Sequence, residues 1–218
     1  MIYEIFRILG LILGYPFQWL FFKKKVYYEG KKNKEWKKGG KLIIANHYNF
    51  FDYVLDAFLA FPRKLTAVCS EIPFKSKLLR FGMKFFGAIQ ANRITRDMSF
   101  IPKCAAVVKK NQLAIIYPEG KNTPDGKIQQ FKLSYLLIAH QANAPIVPII
   151  SDGNYGVFKR VRVIIGEPID ISQFISDDYE THLPPREQLN AANDYIFNKV
   201  LQLREKLEEY KLKEKRKK

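Results

Sequence analysis

Short apolar runs with strand character alternate with helical patterns along most of this 218-residue chain. Such runs, bounded by charged or turn-forming residues, are typical of buried strands, whereas apolar residues at helical spacing indicate amphipathic helices. Predicted strands occupy residues 25–28, 41–45, 65–69, 88–91, 113–117, 146–150 and 160–165. Predicted helices occupy residues 52–61, 75–86, 99–110, 131–141 and 185–213. This alternation predicts one mixed α/β sheet of about seven strands covered by helices.

The length of the chain and its apolar content favour a single domain. A chain of 218 residues is long enough for one α/β domain with a substantial core and short for two. A hydrophobic fraction of 47% argues against disorder, and no repeat or Gly/Ser-rich linker divides the sequence. We expect an N-terminal anchor at residues 1–24, then one domain at residues 25–218 that ends in a long basic helix and tail.

The charge of the chain indicates a polyanionic partner. Lys and Arg number 37 against 21 Asp and Glu, a formal net charge of +16. The basic residues cluster directly after the apolar N-terminus and again at residues 211–218, where each can add roughly 1 kcal/mol of attraction to an anionic leaflet. No zinc-finger spacing, aromatic RNA-recognition signature or basic-zipper pattern is present. We therefore expect anionic phospholipids and not nucleic acid, with a plain solvated surface as the alternative for the tail.

Residues 8–22 form a nearly uncharged run, ILGLILGYPFQWLFF. A spanning helix needs about 20 apolar residues, and this run is shorter and contains Pro16 and Gln18. A basic leading region and a small-residue cleavage site are both missing, which argues against a secretory signal. The aromatic residues before the lysines at 23–25 favour an interfacial helix at the cytoplasmic face of the cell membrane. A single tilted span and a buried core helix are the alternatives.

The two cysteines, Cys69 and Cys104, both lie in apolar sequence. Two cysteines make neither a disulfide framework nor a metal-ligand cluster, so we interpret both as small core residues. Their reduced state fits a cytosol-facing compartment. No metal ion and no cofactor is expected.

The segment Asn46-His47-Tyr48-Asn49-Phe50-Phe51-Asp52 carries the clearest chemical signal. It follows the predicted strand at 41–45, so the imidazole of His47 is expected at the carboxyl end of that strand, with Asp52 on the first turn of the next element. Open α/β sheets keep their active sites at this edge. An imidazole held by a carboxylate can act as a general base near neutral pH. The alternative is a surface histidine beside a helix-capping aspartate.

Three further segments contain residues suited to binding or packing at the same edge. Arg93 follows the predicted strand at 88–91, and its planar guanidinium suits a phosphate; a surface arginine is the alternative. The strand at 113–117 ends in Pro118-Glu119-Gly120, which predicts a tight turn whose carboxylate binds a substrate hydroxyl or pairs with a base. The apolar segment at 144–149 is expected to pack beside these residues.

In order and spacing, the four segments resemble the four motifs of the glycerolipid acyltransferases, above all the bacterial 1-acylglycerol-3-phosphate acyltransferases. The matching residues are Asn46, His47 and Asp52 in the first motif, Gly87, Ile89 and Arg93 in the second, 117–120 in the third, and 145–148 in the fourth. The similarity runs from about residue 25 to residue 169. Each motif alone is weak, but four in the same order are strong.

The resemblance implies transfer of a fatty acyl group from acyl-CoA or acyl-carrier protein to the hydroxyl of 1-acyl-sn-glycerol 3-phosphate (lysophosphatidic acid), which forms phosphatidic acid. It also implies that residues 25–218 are the acyltransferase domain, with the fold of the glycerol-phosphate acyltransferases. In that family the histidine is the general base and the aspartate orients it, which assigns those roles to His47 and Asp52. Binding of the acceptor's phosphate and glycerol falls to Arg93, Glu119 and Gly120.

The chain departs from the family pattern in the third motif. Where the family usually has Thr-Arg after Pro-Glu-Gly, this chain has Lys121-Asn122. Lys121 can supply a cation for the acceptor, but as a point charge and not as a bidentate fork. Two other readings therefore stay open: an acyltransferase for another lysolipid, and a catalytically silent membrane-binding scaffold on the same fold.

Overall fold

The computed structural model describes residues 2–30, 35–49, 51–85, 87–92, 97–175 and 183–216. Its strands are β1 (Lys25–Tyr28), β2 (Lys41–Ala45), β3 (Leu65–Ser70), β4 (Ile89–Ala91), β5 (Leu113–Ile116), β6 (Ile146–Ser151) and β7 (Arg162–Ile165). Its helices are α1 (Ile2–Phe22), α2 (Phe51–Ala60), α3 (Ile72–Lys75), α4 (Lys77–Phe85), α5 (Phe100–Lys109), α6 (Ser134–Ala142) and α7 (Arg186–Arg216). A 3₁₀ turn at Glu35–Lys37 precedes β2.

The strands form one sheet in the order β1-β7-β6-β2-β5-β3-β4. The five strands from β6 to β4 are parallel, β7 runs antiparallel to β6, and β1 is parallel to β7. At the centre, Ile43 of β2 lies opposite Ile115 and Val147 of the neighbouring strands. We call the edge where β2, β5 and β6 end the carboxyl edge, and the opposite one the amino edge. The segments after these three strands therefore meet at the carboxyl edge.

Each face of the sheet carries its own apolar core because successive side chains of a strand point to opposite faces. Leu42 and Ile44 of β2 pack with buried residues of α5, α6 and α7. Ile43 and Ala45 pack with buried residues of α2 on the other face. With both faces covered, the central strands read as continuous apolar runs. This burial is why the strands could be located from sequence.

The predicted fold class is confirmed: the structure is α/β, with one mixed sheet of seven strands among the described residues. The helix predicted at 75–86 is α4 (Lys77–Phe85), and a separate short helix, α3, precedes it; Ser76 between the two has an extended backbone. The helix predicted at 131–141 begins later, at Ser134. Lys132 lies before it, and its N–H donates to Pro118 O at 2.9 Å, which ties this segment to the turn after β5.

Helix α1 lies on the surface and contacts α2 through aromatic side chains. The ring of Tyr15 packs edge-on against Phe58 of α2, with centroids 6.1 Å apart. Apolar side chains that α1 exposes are Ile8, Leu9, Ile12, Leu13, Tyr15, Trp19 and Phe21. The alternative of a buried core helix is therefore wrong. Across the described ranges, no helix has the combination of length and hydropathy that a membrane crossing requires.

Candidate active site

His47 and Asp52 are brought together by the turn that joins β2 to α2. His47 follows the carboxyl end of β2, and Asp52 lies in the first turn of α2. His47 Nδ1 and Asp52 Oδ2 are 2.9 Å apart. The carboxylate is buried, whereas the imidazole side chain keeps 21% of its surface exposed. With the Nδ1 proton donated to Asp52, the lone pair lies on Nε2, which can accept a proton from an alcohol.

Asp52 has two further hydrogen-bond donors that fix its carboxylate. The backbone N–H of Asn49 donates to Oδ2 at 2.7 Å, and the hydroxyl of Tyr155 donates to Oδ1. The side chain of Asn49 accepts the Phe51 N–H at 2.8 Å and so caps the start of α2. Both oxygens of Asp52 are thus held, and the carboxylate presents one orientation to His47.

Tyr117 fixes the plane of the imidazole. Its ring stacks on His47 with centroids 4.2 Å apart and an interplanar angle of 16°. Its hydroxyl donates to Asp56 Oδ2 at 3.0 Å, one helical turn beyond Asp52 on α2. Burial and the neighbouring charge of Asp52 raise the pKa of Asp56 well above its ordinary range, although the Tyr117 hydrogen bond acts in the opposite direction. Burial thus favours the neutral form of Asp56.

Glu119 supports the backbone of the histidine. Its Oε1 accepts the His47 N–H at 3.2 Å, and its Oε2 accepts the Gln129 N–H at 2.9 Å. Thr123 completes the link, since its N–H donates to His47 O at 2.7 Å. Burial raises the pKa of Glu119, and the N–H groups of Gln129 and His47 offset part of that rise. The segment after β5 is thereby bonded to the segment after β2.

A lysine ammonium lies against the turn at Gly120. Gly120 has a φ of +68°, and a Cβ there would lie 2.8 Å from Lys132 Nζ. This left-handed backbone conformation favours glycine, and the end of the flexible Lys132 side chain lies beside it. Lys121, the next residue, is exposed. Gly120 therefore has one cationic residue next to it in sequence, Lys121, and another next to it in space, Lys132.

The structure thus gathers four of the six predicted site residues at the carboxyl edge around two turns: His47, Asp52, Glu119 and Gly120. Lys121 follows them on the surface. Arg93 lies outside the residues that the structure describes.

Among the described residues, neither the cysteines nor any group of metal-binding side chains forms a second candidate site. Cys104 is buried, as predicted, and Cys69 is half-buried. Burial raises the pKa of both thiols to about 12, which keeps them protonated at neutral pH. In the described ranges no three His, Cys, Asp or Glu side chains are grouped so that they could hold a metal ion.

The model of a protein family described as Acyltransferase matches residues 25–152, more than half of the chain. The chain belongs to this acyltransferase family. The matched range begins at β1 and ends just after β6, so it contains the His47–Asp52 pair and the turn at Gly120. The resemblance stated from the four motifs is confirmed.

Curated relatives of this acyltransferase-family chain carry one name. The 1-acyl-sn-glycerol-3-phosphate acyltransferase of Bacillus subtilis (strain 168) is 24% identical over 175 residues, which cover 78% of this chain and 84% of the relative. The enzyme of the same name from Cocos nucifera is 28% identical over 183 residues, which cover 80% of this chain and 54% of the relative. The chloroplastic LPAT1 of Arabidopsis thaliana is 22% identical over 197 residues, which cover 75% of this chain and 55% of the relative. The chain spans about half the length of the two plant relatives.

A solved structure shares the fold. The crystal structure of the 1-acyl-sn-glycerophosphate (LPA) acyltransferase PlsC from Thermotoga maritima superposes with a TM-score of 0.63. The superposition covers 92% of this chain and 81% of that one, at 20% sequence identity. The acyltransferase-family chain therefore shares the fold of that protein over nearly the whole length of the present chain.

Three residues of the site escaped the sequence analysis. Tyr155 lies 103 positions from Asp52, in a loop with no motif of its own. Asp56 lies on the same helical face as Asp52 and, as an acidic residue in an apolar run, had a recognisable signal. The pair Phe131-Lys132 also resembles the family, but the sequence gives no signal for the contact of Lys132 with Gly120.

Proposed function

We propose that this chain transfers a fatty acyl group from acyl-CoA or acyl-carrier protein to the hydroxyl of 1-acyl-sn-glycerol 3-phosphate, which forms phosphatidic acid. The observation that carries the proposal is the 2.9 Å contact of His47 Nδ1 with Asp52 Oδ2 at the carboxyl edge, in a chain of the acyltransferase family. The names of the Bacillus, Cocos and Arabidopsis relatives support this choice of acceptor.

His47 acts as the general base. Its Nε2 takes the proton of the acceptor hydroxyl while the hydroxyl oxygen attacks the carbonyl carbon of the thioester. The C–S bond then breaks, and the departing thiolate takes the proton back from the imidazolium. Asp52 holds the ring in the required tautomer and stabilises the imidazolium during the reaction. Because thioesters are already activated, transfer needs no acyl-enzyme, and the thiols of Cys69 and Cys104 have no part in it.

The acceptor's phosphate binds near the turn at Gly120. Lys132, which lies against that turn, and Lys121, the next residue in sequence, supply cations, and Arg93 is assigned as a third. Glu119 contributes by shaping the turn, since its oxygens already accept the N–H groups of His47 and Gln129. Gly120 leaves room for the ammonium of Lys132.

The membrane is the second partner. Helix α1 exposes a row of apolar side chains, and lysines follow its end at 23–25. We propose that α1 lies in the interface at the cytoplasmic face of the cell membrane, where anionic phospholipids and the lipid acceptor are found. No nucleic acid, metal or cofactor takes part in the proposal.

A purified-protein assay tests the function. The unmodified protein, given acyl-CoA or acyl-carrier protein and a panel of lysolipids, is expected to acylate lysophosphatidic acid fastest. His47→Ala is expected to lose about 10²–10⁴ in rate, the usual loss for removal of a general base. Phosphatidic acid is measured with labelled acyl donor.

The control is His140→Ala. His140 lies near the end of α6, which leads into β6 at the amino edge, so activity should remain. Full activity in His47→Ala would contradict the mechanism. Faster acylation of another lysolipid would assign a different acceptor, and no acylation of any lysolipid by the unmodified protein would favour the scaffold reading.

A further inference from the structure

Two segments far apart in sequence expose apolar side chains next to each other. At the end of α1, Trp19 is 60% exposed and Phe21 is also exposed. In the loop between β6 and β7, Phe158 is 70% exposed and Val157 is exposed beside it. We call these four residues the aromatic tip. Each lone exposed apolar residue is ordinary, but a contiguous group marks an interaction surface.

Direct contacts join the two segments. The ammonium of Lys23 lies 5.2 Å from the ring centroid of Trp19 and 5.3 Å from that of Phe158, so the two rings are neighbours. The N–H of Phe158 donates to Leu20 O at 3.2 Å, and the N–H of Gly156 donates to Phe21 O at 3.2 Å. The loop thus satisfies carbonyl groups that the end of α1 would otherwise leave open.

The backbone of the loop has an unusual conformation at the most exposed ring of the aromatic tip. Phe158 has a φ of +62°, in the left-handed region that bulky residues rarely occupy. Gly156, two residues earlier, has a φ of +140°. The backbone of Phe158 bonds to α1, but its ring is outside the apolar core. The exposed face of the ring is therefore available for contact with something outside the protein.

The charges around the aromatic tip select an anionic lipid surface as that contact. Lys23, Lys159 and Arg160 flank the four apolar side chains, and Lys159 and Arg160 are exposed. Aromatic rings beside lysine and arginine suit the interface of a bilayer, where rings enter the headgroup region and cations meet phosphates. A hydrophobic protein groove would gain little from three cations at its rim.

The aromatic tip also lies beside the candidate active site. Its loop follows β6 at the carboxyl edge, and Tyr155 of the same loop donates a hydrogen bond to Asp52. The ring of Tyr155 packs edge-on against Phe22 at the end of α1, with centroids 5.7 Å apart. A membrane that covers the tip is therefore brought up to the edge of the sheet that carries His47.

We propose that Trp19, Phe21, Val157 and Phe158 insert together into an anionic phospholipid surface, so that the β6–β7 loop is a second membrane-docking element besides α1. Lys23, Lys159 and Arg160 contact the lipid phosphates. This inference rests on the proposed function in one respect: the lipid acceptor of that reaction lies in the membrane that the aromatic tip contacts.

Vesicle binding tests the proposal. The full chain is sedimented with vesicles of phosphatidylglycerol and phosphatidylcholine in equal parts, and the bound fraction gives the affinity. Phe158→Ala is expected to weaken binding about tenfold or more, since removing a phenyl ring loses most of its transfer free energy. Phe158→Leu keeps an apolar side chain and should retain most of the affinity.

Leu183→Ala is the matched control. Leu183 is also 70% exposed, but it precedes α7 on the amino-edge side, because α7 reaches the carboxyl end of β6 only at Arg204. Its replacement should leave binding unchanged. Equal binding of Phe158→Ala and the unmodified protein would overturn the proposal, as would an equal loss in Phe158→Leu.

An activity measurement separates this proposal from the proposed function. With a short-chain, water-soluble lysophosphatidic acid and no vesicles, Phe158→Ala should acylate as fast as the unmodified protein. A protein that binds vesicles through Phe158 but acylates no lysolipid would support the docking surface and contradict the enzyme. A selective loss of the soluble-substrate activity in Phe158→Ala would overturn docking as the role of this residue.

Discussion

Tyr155 is the residue whose position says most about how the site is held. Its hydroxyl reaches Asp52 from a different loop, and its ring packs between Phe22 of α1 and Phe51 at the start of α2. It touches neither the imidazole nor the turn at Gly120 in any contact described above. We regard Tyr155 as a positioning residue that acts through Asp52.

We expect Tyr155→Phe to lower kcat about tenfold, because a hydrogen bond to a charged group contributes about 1.5–3 kcal/mol and only part of it bears on the transition state. KM should stay unchanged, since the acceptor site proposed above is at the turn at Gly120. Steady-state kinetics with lysophosphatidic acid measure both constants. Tyr28→Phe on β1 is the control and should alter neither; a rise in KM alone for Tyr155→Phe would contradict the positioning role.

At the scale of elements, the end of α7 is fastened to the two strands that run opposite to the rest of the sheet. The carboxylate of Glu214 pairs with Lys25 and accepts hydrogen bonds from Tyr27 on β1 and from Arg162 on β7. The Arg162 Nε to Glu214 Oε2 distance is 2.8 Å. Burial alone would raise the pKa of Glu214, but bonds from Lys25, Tyr27 and Arg162 outweigh it and lower the pKa to about 2.

A carboxylate with a lowered pKa contributes its stabilisation fully above its ordinary pKa and loses it as the pH falls. We therefore expect the last turns of α7 to detach between pH 4.5 and about 2. Glu214→Gln should show the same detachment at pH 7. Hydrogen exchange of residues 205–216 measures it. Glu209→Gln, at an exposed carboxylate 4.0 Å from Lys213, should leave exchange unchanged.

The difference between what the sequence predicted and what it missed is clearest in particular elements. The central strands were located because burial on both faces makes them continuous apolar runs, and His47 and Asp52 were found because a short turn joins them. The break at Ser76 and the contact between Tyr155 and Asp52 depend on tertiary packing, so local periodicity carried no signal for them. The Lys132 contact was missed for the same reason.

At the scale of the whole molecule, several basic segments lie at the carboxyl edge. The end of α1, the loop with Lys159 and Arg160, and the basic last turn of α7 all lie there, the last because Glu214 bonds Arg162 at the start of β7. Part of the net charge of +16 thus lies on the same side as the candidate active site. In the proposed docking, electrostatic attraction and apolar insertion would act on one face.

We expect salt to weaken vesicle binding several-fold without releasing the protein. Between 0.1 M and 1 M salt the Debye length falls from about 10 Å to about 3 Å, which screens the lysines but leaves apolar insertion intact. Sedimentation with anionic vesicles across this range measures the effect. Lys23→Gln with Lys159→Gln should reduce the salt dependence, whereas Lys109→Gln with Lys110→Gln, where α5 ends at the amino edge, should not. Complete release by salt alone would contradict insertion.

The hydrogen bond between Tyr117 and Asp56 links the choice of residue at these two positions. A phenylalanine at 117 could still stack on His47, but it would leave the Asp56 carboxyl group buried without its donor, at a cost of about 1–3 kcal/mol. An apolar residue at 56 would remove that cost. The residue types at 117 and 56 therefore depend on each other. Either change alone would be destabilising, and a double-mutant cycle on the two positions would show a large coupling energy.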